Sequence, residues 1–490
     1  MLLHGFIDGA KGRRMKRKST LIQDGTKHSG GKERQIFDLA IVGGGFSGVC
    51  TAWHLLVHQG LNPAFRCVII ERGERLGAGV AYRTDSPCHL LNVRARGMSI
   101  TAADSRSFVR WLAEVAPEYS PDDFVPRSLY RDYLNASLER ARERRPPGAL
   151  TVLRDEVRAV ESEPDSGRYL LRFTSGGSLR AKAVVLALGN LPPRPTLDGG
   201  LLCSPWCGSV EYGRLGSLAV VGAGLTAMDV ILDADFSGFS GRCWVISPHG
   251  RFPQAHREPF MPVPPELKSW AETLASGRPT LRQALRAFQE QRKQGIYWEL
   301  LVDALRGVAS QIWKGFSAAD KRLFLRRLRS LWNTHLHRSC RQSIQTVERM
   351  MRSGRLVQVH ARVVAVEKRE DRFDSAVRLV MRGGDVSTLD VDAAVNATGL
   401  FSSILKTDSA LVAQLLGDGL AQPDDFCLGF RVNDAGQLLS ARGAVQPALF
   451  TLGTLRRGEE LECTAVPEIR RQVAVMAEEI VRILEESPGG

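Results

Sequence analysis

The first half of the chain alternates short apolar runs with glycine-rich turns and helix-like spacings. The apolar run at residues 36–42 leads into three glycines in the spacing Gly43-x-Gly45-x-x-Gly48. Apolar positions three and four residues apart follow as far as residue 57, and a second apolar run covers residues 67–70. This order predicts a strand, a tight turn, a helix and a second parallel strand.

Each part of this predicted unit has a role in holding a dinucleotide. The first glycine permits the turn, the second lets a pyrophosphate approach the backbone, and the third lets the helix pack against the sheet. The helix N-terminus attracts phosphates, and an acid at the end of the next strand hydrogen-bonds ribose. The alternative, a glycine-rich hairpin in an ordinary core, is disfavoured by the strand–turn–helix order. The residues expected at this first site are Gly43, Gly45, Phe46, Ser47, Gly48, Glu71 and Arg72.

The same pattern occurs again after the apolar run at residues 218–221, with Ala227 in place of the third glycine. The next apolar run, residues 243–246, leads to Arg251 instead of an acid. An acid would repel a 2′-phosphate, whereas Arg can pair with it, so this site favours NADPH over NADH. A solvated surface charge is the alternative role for Arg251. The residues expected at the second site are Gly222, Gly224, Thr226, Ala227 and Arg251.

Two further apolar strands, ending in Gly189 and Gly399, flank the second glycine motif. Two dinucleotide sites in one chain imply two cofactors that exchange electrons, and the usual pair is a bound flavin with a nicotinamide. We therefore expect FAD at the first site and NADPH at the second.

Composition narrows the class of protein. The 490 residues are too many for one core, so two or three domains are expected. No apolar run reaches the roughly 18 residues of a membrane span, and a cytoplasmic location is expected. The net charge of +13 is concentrated at residues 11–18 and 321–329, without interleaved aromatics, so nucleic acid is not an expected partner.

The nine cysteines are scattered, and Cys203 and Cys207 form the one close pair. Their spacing differs from the Cys-x-x-Cys of many disulfide reductases, so two free thiols are expected rather than a redox pair. The sequence shows no second pair and no histidine cluster of the kind that binds zinc, so no metal is expected.

These elements predict an α/β protein with two Rossmann-like dinucleotide-binding domains, the NADPH domain inserted in the FAD domain, and an additional helical insert. Residues 1–35 are expected to form a disordered basic arm, although translation could start at Met1 or at Met15. The FAD domain is expected at residues 36–212 and 391–490. The NAD(P)H domain is expected at residues 213–390, with its helical insert at 265–352.

Several stretches together resemble the flavoprotein family of FAD-dependent urate hydroxylase and aspartate N-monooxygenase. They are Gly43-Gly-Gly-Phe-Ser-Gly48, Gly79-Val-Ala-Tyr82, Leu90-Leu-Asn92-Val93, Ala187-Leu-Gly-Asn190 and Thr464-Ala-Val-Pro-Glu-Ile-Arg470. The resemblance covers nearly the whole chain from about residue 37. Two departures are Ala227 for glycine and Thr454 after Gly453, where many FAD proteins carry Asp.

The resemblance implies a monooxygenase that uses NADPH, O2 and a flavin C4a-(hydro)peroxide to hydroxylate a small polar or anionic substrate. It also implies that Asn92, Gly189, Gly399 and Gly453 lie near the cofactors. The C-terminal helix is expected to start at Ala465, with Thr464 as its N-cap and its N-terminus at the flavin pyrimidine.

Substrate contacts are expected from His256, Trp332, His335 and Arg338, with His337 pointing away from the face that Trp332, His335 and Arg338 share. Helix capping and surface ion pairs are the alternative roles for these residues. Two other functions remain open: an NAD(P)H-dependent flavin dehydrogenase or reductase, and a non-enzymatic flavin-binding regulatory protein. The sequence leaves the oxidised atom and the oligomeric state undecided.

Overall fold

The computed structural model describes residues 23–24, 36–191, 200–206, 210–368, 377–399 and 403–486. Most of the predicted basic arm lies outside these ranges. The described part of the arm, Gln23–Asp24, pairs in parallel with the strand Leu150–Arg154, so these two residues are not disordered as predicted. An edge strand presents unpaired N–H and C=O groups that can order a passing segment in this way.

The strands are numbered along the chain. They are β1 Gln23–Asp24, β2 Ile36–Val42, β3 Cys67–Glu71, β4 Leu150–Arg154, β5 Val157–Glu163, β6 Arg168–Phe173, β7 Ser178–Leu186, β8 Ser217–Val221, β9 Arg242–Ile246, β10 Leu356–Val359, β11 Arg362–Lys368, β12 Val377–Arg382, β13 Thr388–Val391, β14 Ala393–Asn396, β15 Gln437–Leu439 and β16 Val445–Thr451.

The helices are numbered in the same way. They are α1 Phe46–Val57, α2 Ser107–Val115, α3 Arg127–Arg142, α4 Leu225–Phe236, α5 Pro265–Ser276, α6 Leu281–Lys293, α7 Trp298–Gly315, α8 Ala318–Leu323, α9 Arg329–Leu336, α10 Arg341–Arg352, α11 Ala410–Gly417 and α12 Val466–Glu486. Short 3-10 turns occur at Ala95–Gly97, Tyr212–Arg214, Ile404–Lys406 and Gly453–Arg456, and a π-helical turn at Phe324–Leu328.

The larger sheet has the order β1-β4-β3-β2-β7-β16-β15. Neighbours from β1 to β16 pair in parallel, and β15 closes the edge in antiparallel orientation. The C-terminal halves of β2 and β7, residues 39–42 and 183–186, are buried on both faces, as is typical of a parallel sheet that helices cover on both sides. Helix α1 packs against α3 and α12 over this core.

The second sheet is parallel throughout, with the order β10-β9-β8-β14. Helices α4 and α10 pack on it, the latter through Val347 and Met350. A separate antiparallel sheet, β11-β12-β13, follows in the chain. Two Rossmann-like sheets within one chain confirm the predicted α/β fold class.

Two predicted boundaries differ from the structure. Strand β14 was expected in the FAD domain after residue 390, but Val395 pairs with Val220 of the second sheet. An apolar strand suits either parallel sheet, so its sequence does not show which one it joins. Helix α10, predicted as the end of the helical insert, packs on the second sheet, so helices α5–α9 make up the insert.

The insert, residues 265–336, packs against the segment that precedes α12. The indole of Trp313 donates a hydrogen bond to the Gly458 carbonyl over 2.8 Å, and Phe426, Leu428 and Leu461 join the apolar cluster around it. The insert is therefore anchored to the first domain. No helix among the described residues combines the length and hydropathy needed to cross a membrane.

Candidate active site

The first glycine motif lies at the carboxyl edge of the larger sheet. Gly43 has φ +106°, and a Cβ there would collide with the Ala187 carbonyl at the end of β7. A Cβ on Gly48 would collide with the Gly43 carbonyl. These two glycines are thus required by the close approach of strand and helix.

Gly45 lies at the N-terminus of α1, and a Cβ there would come within 3.3 Å of the Gly79 Cα. Gly79 belongs to the Gly-Val-Ala-Tyr stretch named above, so two glycines from separate segments meet with no side chain between them. This surface is a backbone cradle that a pyrophosphate can approach closely. Phe46 and Ser47, which follow in the helix, are buried.

The carboxylate of Glu71 lies beside the same turn. Its Oε2 accepts a hydrogen bond from the Gly44 N–H and its Oε1 from the Gly73 N–H, each over 2.6 Å. The acid is thus held at the end of β3, where a ribose would lie. Its neighbour Arg72 instead forms an exposed ion pair with Glu156 at 3.0 Å.

The ends of β7 and β16 meet next to this turn. The Thr454 hydroxyl donates to the Asn190 Oδ1 over 2.7 Å, and the Gly453 N–H donates to the Gln472 Oε1 over 2.8 Å. A Cβ on Gly453 would lie 3.6 Å from the Ser47 Oγ. Thr454, the departure from the family pattern, therefore links two loops of the first site.

Helix α12 begins at Val466, one residue later than predicted. The Ala465 carbonyl accepts from both the Glu468 and the Ile469 N–H, so Ala465, not Thr464, is the N-cap residue. The start of α12 lies beside the Gly453 loop, since a Cβ on Gly453 would be 3.8 Å from the Cys463 carbonyl oxygen and from the Ile469 Cδ1. The helix N-terminus faces the first site with its positive dipole end.

The second glycine motif repeats this construction at the carboxyl edge of the second sheet. A Cβ on Gly222 would collide with the Ala397 carbonyl beyond β14, whereas one on Gly224 would meet nothing within 4 Å. Gly224 is the helix N-cap residue, so open space lies where phosphates would bind. Ala227 is fully buried in the core beneath α4, and its methyl group fills the position of the third glycine.

The remaining residues of the second site are at its rim. Thr226 is partly buried in the first turn of α4, while Arg251 and Gly399 are exposed. Arg251 follows Gly250, whose N–H is held by the Ser247 hydroxyl over 2.9 Å. This turn presents Arg251 at the end of β9, where it can contact a bound nucleotide.

A buried contact joins the two domains. The guanidinium of Arg127, at the start of α3, donates two hydrogen bonds to Asp229 of α4, over 2.7 and 2.9 Å. Next to it, the His89 Nε2 lies 3.0 Å from the Asp229 carbonyl and its Nδ1 lies 2.8 Å from the Thr84 hydroxyl.

Cys88, His89 and Asp233 place ligand atoms within 4.8 Å of one another. Both His89 nitrogens are already engaged, so this histidine joins the domains and has no free lone pair for an ion. The sequence did not predict this cluster, because Asp233 is far from Cys88 and His89 along the chain and only the fold brings the three together.

The four predicted substrate residues do not form one group: Trp332 and His335 belong to α9, whereas His256 and Arg338 lie outside it. His256 approaches Asn92, whose carbonyl accepts a hydrogen bond from its Nε2 over 2.8 Å. Burial, followed by the charge of Arg338, lowers the pKa of His256 to about 3, so the ring is neutral. The His256 backbone N–H donates to the Ser339 carbonyl over 2.9 Å, so His256 and Arg338 lie on adjacent segments where the two domains and the insert meet.

Arg338 does not share a helix face with Trp332 and His335 as predicted. Helix α9 ends at Leu336, and the next residues run alongside Ala255 in an isolated bridge through Ser339. Arg338 is buried and forms an ion pair with Asp303 of α7. The helical spacing stops applying where the helix stops.

Trp332 and His335 both line one apolar cavity inside the insert, as expected of residues that share a helix face, but their other contacts differ. The Trp332 indole donates to the Glu462 Oε1 over 2.7 Å, so it faces the segment before α12. His335 packs edge-on against Trp298 at 4.8 Å, inside the insert. Contrary to the prediction, His337 approaches the site: its Nε2 lies 4.0 Å from the Glu462 Oε2.

Three acidic or basic residues that sequence reasoning missed line this region. Arg306 of α7 forms a bidentate ion pair with Glu468 of α12, over 2.9 and 3.1 Å. Burial raises the pKa of Glu462 to about 7, against the lowering effects of Trp332 and Arg306. The pKa of His337 is lowered to about 4, first by burial and then by Arg306. No spacing in the sequence relates these residues, since they come from α7, α9 and the C-terminal segment.

The cysteine pair is only partly visible. Cys203 is hydrogen-bonded through its backbone to Ala394 and Asn396, which fixes it beside β14. Cys207 lies outside the described residues. The expectation that these thiols carry no electrons therefore stays a prediction.

Comparisons with known proteins agree with this architecture. Residues 40–191 match the family model described as FAD-NAD(P)-binding. The fold is similar to that of the ornithine N-hydroxylase of Kutzneria sp. 744, with TM-score 0.62, 18% identity, and coverage of 91% of this chain and 99% of that one. A comparison with curated proteins gave no match.

Two further solved structures have the same arrangement. Ornithine hydroxylase from Pseudomonas aeruginosa has TM-score 0.62 and 16% identity, over 92% of this chain and 100% of that one. L-lysine 6-monooxygenase from Pseudomonas syringae has TM-score 0.60 and 14% identity, again over 92% and 100%. The fold is thus similar to that of these enzymes over more than nine tenths of this chain.

Proposed function

We propose that this chain is a FAD-dependent, NADPH-driven monooxygenase that hydroxylates a small amine. The observation that carries the proposal is the pair of glycine cradles, each at the carboxyl edge of a parallel sheet, in domains joined by the Arg127–Asp229 contact. The match to a FAD-NAD(P)-binding family model lies on the first cradle. The structurally similar enzymes named above hydroxylate ornithine and lysine, which supports an amine as substrate.

The cradle residues are compatible with FAD at the first site. Gly45 and Gly79 leave the space that a pyrophosphate needs, Glu71 is placed for a ribose, and α12 directs its N-terminus at the flavin end. When bound, FAD would supply the redox chemistry, since a flavin can be reduced by NADPH and can then activate O2. Gly222, Gly224, Thr226 and Arg251 would hold NADPH at the second site.

The chain itself would bind and orient the amine and keep water out. The region between α7, α9 and the start of α12 holds His256, Arg306, His337, Glu462 and Glu468. Glu468 neutralises Arg306, and Asp303 neutralises Arg338. Among the described residues, the one side chain that forms an ion-pair contact with Glu462 is His337, at 4.0 Å. A carboxyl group so placed is suited to hold an ammonium group or to take its proton.

The narrower membership suggested by the sequence, in the family of urate hydroxylase and aspartate N-monooxygenase, remains part of this proposal. It rests on the stretches at residues 79–82, 90–93 and 464–470. Its test is the product formed, since an N-hydroxylated amine and a C-hydroxylated ring are distinct by mass spectrometry.

A first experiment is anaerobic reduction of the purified protein. The chain should be yellow from bound FAD, and NADPH should bleach it faster than NADH at equal concentration. A colourless protein that takes up no FAD, or a yellow protein that NADPH does not bleach, would contradict the proposal.

A further inference from the structure

A cavity of about 270 Å³ lies inside the helical insert, between α6, α7, α9 and the π-helical turn Phe324–Leu328. Apolar side chains make up nearly all of its wall. Those that define it best are Phe288, Val302, Leu305, Trp313, Phe324 and Trp332. An apolar cavity of about 150 Å³ holds one benzene ring, so this one has room for a group roughly the size of an indole or an octyl chain.

The cavity is open to solvent on one side. Leu285 and Leu331 line it and remain 42% and 40% exposed, so two leucines border its entrance. Three indoles, those of Trp298, Trp313 and Trp332, contribute to the wall. Apolar wall left in contact with water costs free energy that a bound apolar group recovers, and π-helical turns occur frequently at functional sites. Both points favour a cavity that is filled in use.

The cavity adjoins the region proposed to hold the amine. The Trp332 ring lines the cavity, and its Nε1 donates to the Glu462 carboxylate. Leu461, the residue before Glu462, also lines the cavity. The apolar cavity and the buried carboxyl group of Glu462 are therefore adjacent. The Trp332 indole contacts both, and Leu461 of the cavity wall is the neighbour of Glu462 in the chain.

We propose that the substrate is an amphipathic amine, an alkylamine or arylalkylamine, whose apolar body occupies the insert cavity and whose amino group is held at Glu462. This inference rests on the proposed function and adds the class of substrate. A short polar amino acid would be a poor ligand for this cavity, because nearly all of the wall is apolar and cannot form hydrogen bonds with it.

The first test is calorimetric titration of the FAD-loaded protein with n-octylamine and n-butylamine. Octylamine should bind roughly two orders of magnitude more tightly, because four more methylenes leave water. The binding should show a negative heat-capacity change, the mark of apolar burial. Equal affinity of the two amines would overturn the proposal.

The second test places the binding in the cavity. Ala284→Phe puts a ring into the cavity from α6, and Ala287→Phe is its matched control, since Ala287 lies on the same helix but does not line the cavity. Octylamine affinity should fall at least tenfold in the first variant and stay within twofold in the second. Unchanged affinity in Ala284→Phe would show that octylamine binds elsewhere.

A milder pair covers the case in which Ala284→Phe does not fold. Leu331→Lys puts a charge at the exposed entrance, and Ser330→Lys adds the same charge one residue away, outside the lining. Only Leu331→Lys should weaken octylamine binding. Equal weakening by both would indicate a general charge effect and contradict the cavity as the site.

Turnover separates this inference from the proposed function. Wild-type enzyme should form N-octylhydroxylamine with a higher kcat/KM than the butyl product, and Ala284→Phe should remove that preference. Product from short polar amines alone, with the same kcat/KM in Ala284→Phe, would overturn the substrate class and leave the monooxygenase standing. Failure of NADPH to bleach the wild-type flavin would overturn the proposed function and the substrate role, while the titration still decides whether the cavity binds octylamine.

Discussion

Single glycine positions set how closely a dinucleotide can approach the two sheets. Gly43 and Gly48 are fixed by contacts within the protein, since a Cβ on either would meet a backbone carbonyl. Gly45 and Gly224 have another role. A Cβ on Gly45 would face the backbone of Gly79, and a Cβ on Gly224 would meet nothing within 4 Å. We therefore expect that ligand binding requires the second glycine of each motif, whereas contacts within the protein require the first.

Gly45→Val tests this division at the first site. The branched side chain should project into the cradle shared with Gly79, so the purified variant should be folded but colourless. Absorbance at flavin wavelengths per protein checks this, with thermal unfolding as the measure of folding. Gly417→Val, at the exposed end of α11, is the control and should keep its FAD. Full flavin content in Gly45→Val would remove FAD from this site.

Arg251→Ala tests the second site. Loss of a charge-assisted contact to the 2′-phosphate should raise the KM for NADPH roughly tenfold and leave the KM for NADH nearly unchanged. Steady-state oxidation of each nucleotide measures both. A similar rise for the two cofactors would show that Arg251 contacts no 2′-phosphate.

At the scale of elements, the substrate region is made where α7, α9 and the segment before α12 meet. Strands β2, β3, β7, β8, β9 and β14 and both glycine turns follow from apolar runs and glycine spacing, so the sequence predicted them. Residues such as Arg306, Glu462 and Glu468 could not be found in this way, because their neighbours are more than a hundred residues away in the chain. Arg338 was misplaced for a different reason: a helical spacing was extended past Leu336, where α9 ends.

Glu462→Gln tests the buried carboxyl group. Burial raises its pKa to about 7, so the folded state holds a proton that the unfolded chain, with its usual value of 4.5, releases. Stability from this group is thus lost as the pH rises from about 4.5 through 7. Glutamine does not ionise, so the variant should gain stability relative to wild type between pH 5 and pH 8, by up to about 3 kcal/mol.

Thermal or urea unfolding at the two pH values measures this gain. Glu348→Gln, on the exposed face of α10, is the control and should show no such gain. The KM for the amine should also fall as the pH rises through about 7 in wild type and lose that step in Glu462→Gln. A gain that is the same at pH 5 and pH 8 would mean that Glu462 titrates normally.

For the whole molecule, a small buried contact is one of several that join the two domains. Arg127 and Asp229 each expose only 12% of their side chains, and they join α3 of one domain to α4 of the other. Nicotinamide and flavin can meet only if the two cradles keep their relative orientation. The contact joins residues about a hundred positions apart in the chain, and no sequence pattern relates them.

Arg127→Ala should therefore affect both stability and electron transfer. It leaves Asp229 buried without its partner, which costs about 3–5 kcal/mol for such pairs. Urea unfolding and the rate of flavin reduction by NADPH measure the two effects. Arg172→Ala removes an exposed ion pair with Glu161 and should cost no more than about 1 kcal/mol. If the two variants behave alike, the domains are held by other contacts.

The most direct test of the central claim is the stoichiometry of the aerobic reaction with an amine substrate. NADPH oxidation, O2 uptake, peroxide and hydroxylated product are measured in the same sample, with n-octylamine as the substrate. We expect one O2 to be consumed and one hydroxylamine to be formed for each NADPH oxidised, with little peroxide. Complete conversion of O2 to peroxide with every amine tested, or NADPH oxidation that consumes no O2, would contradict it.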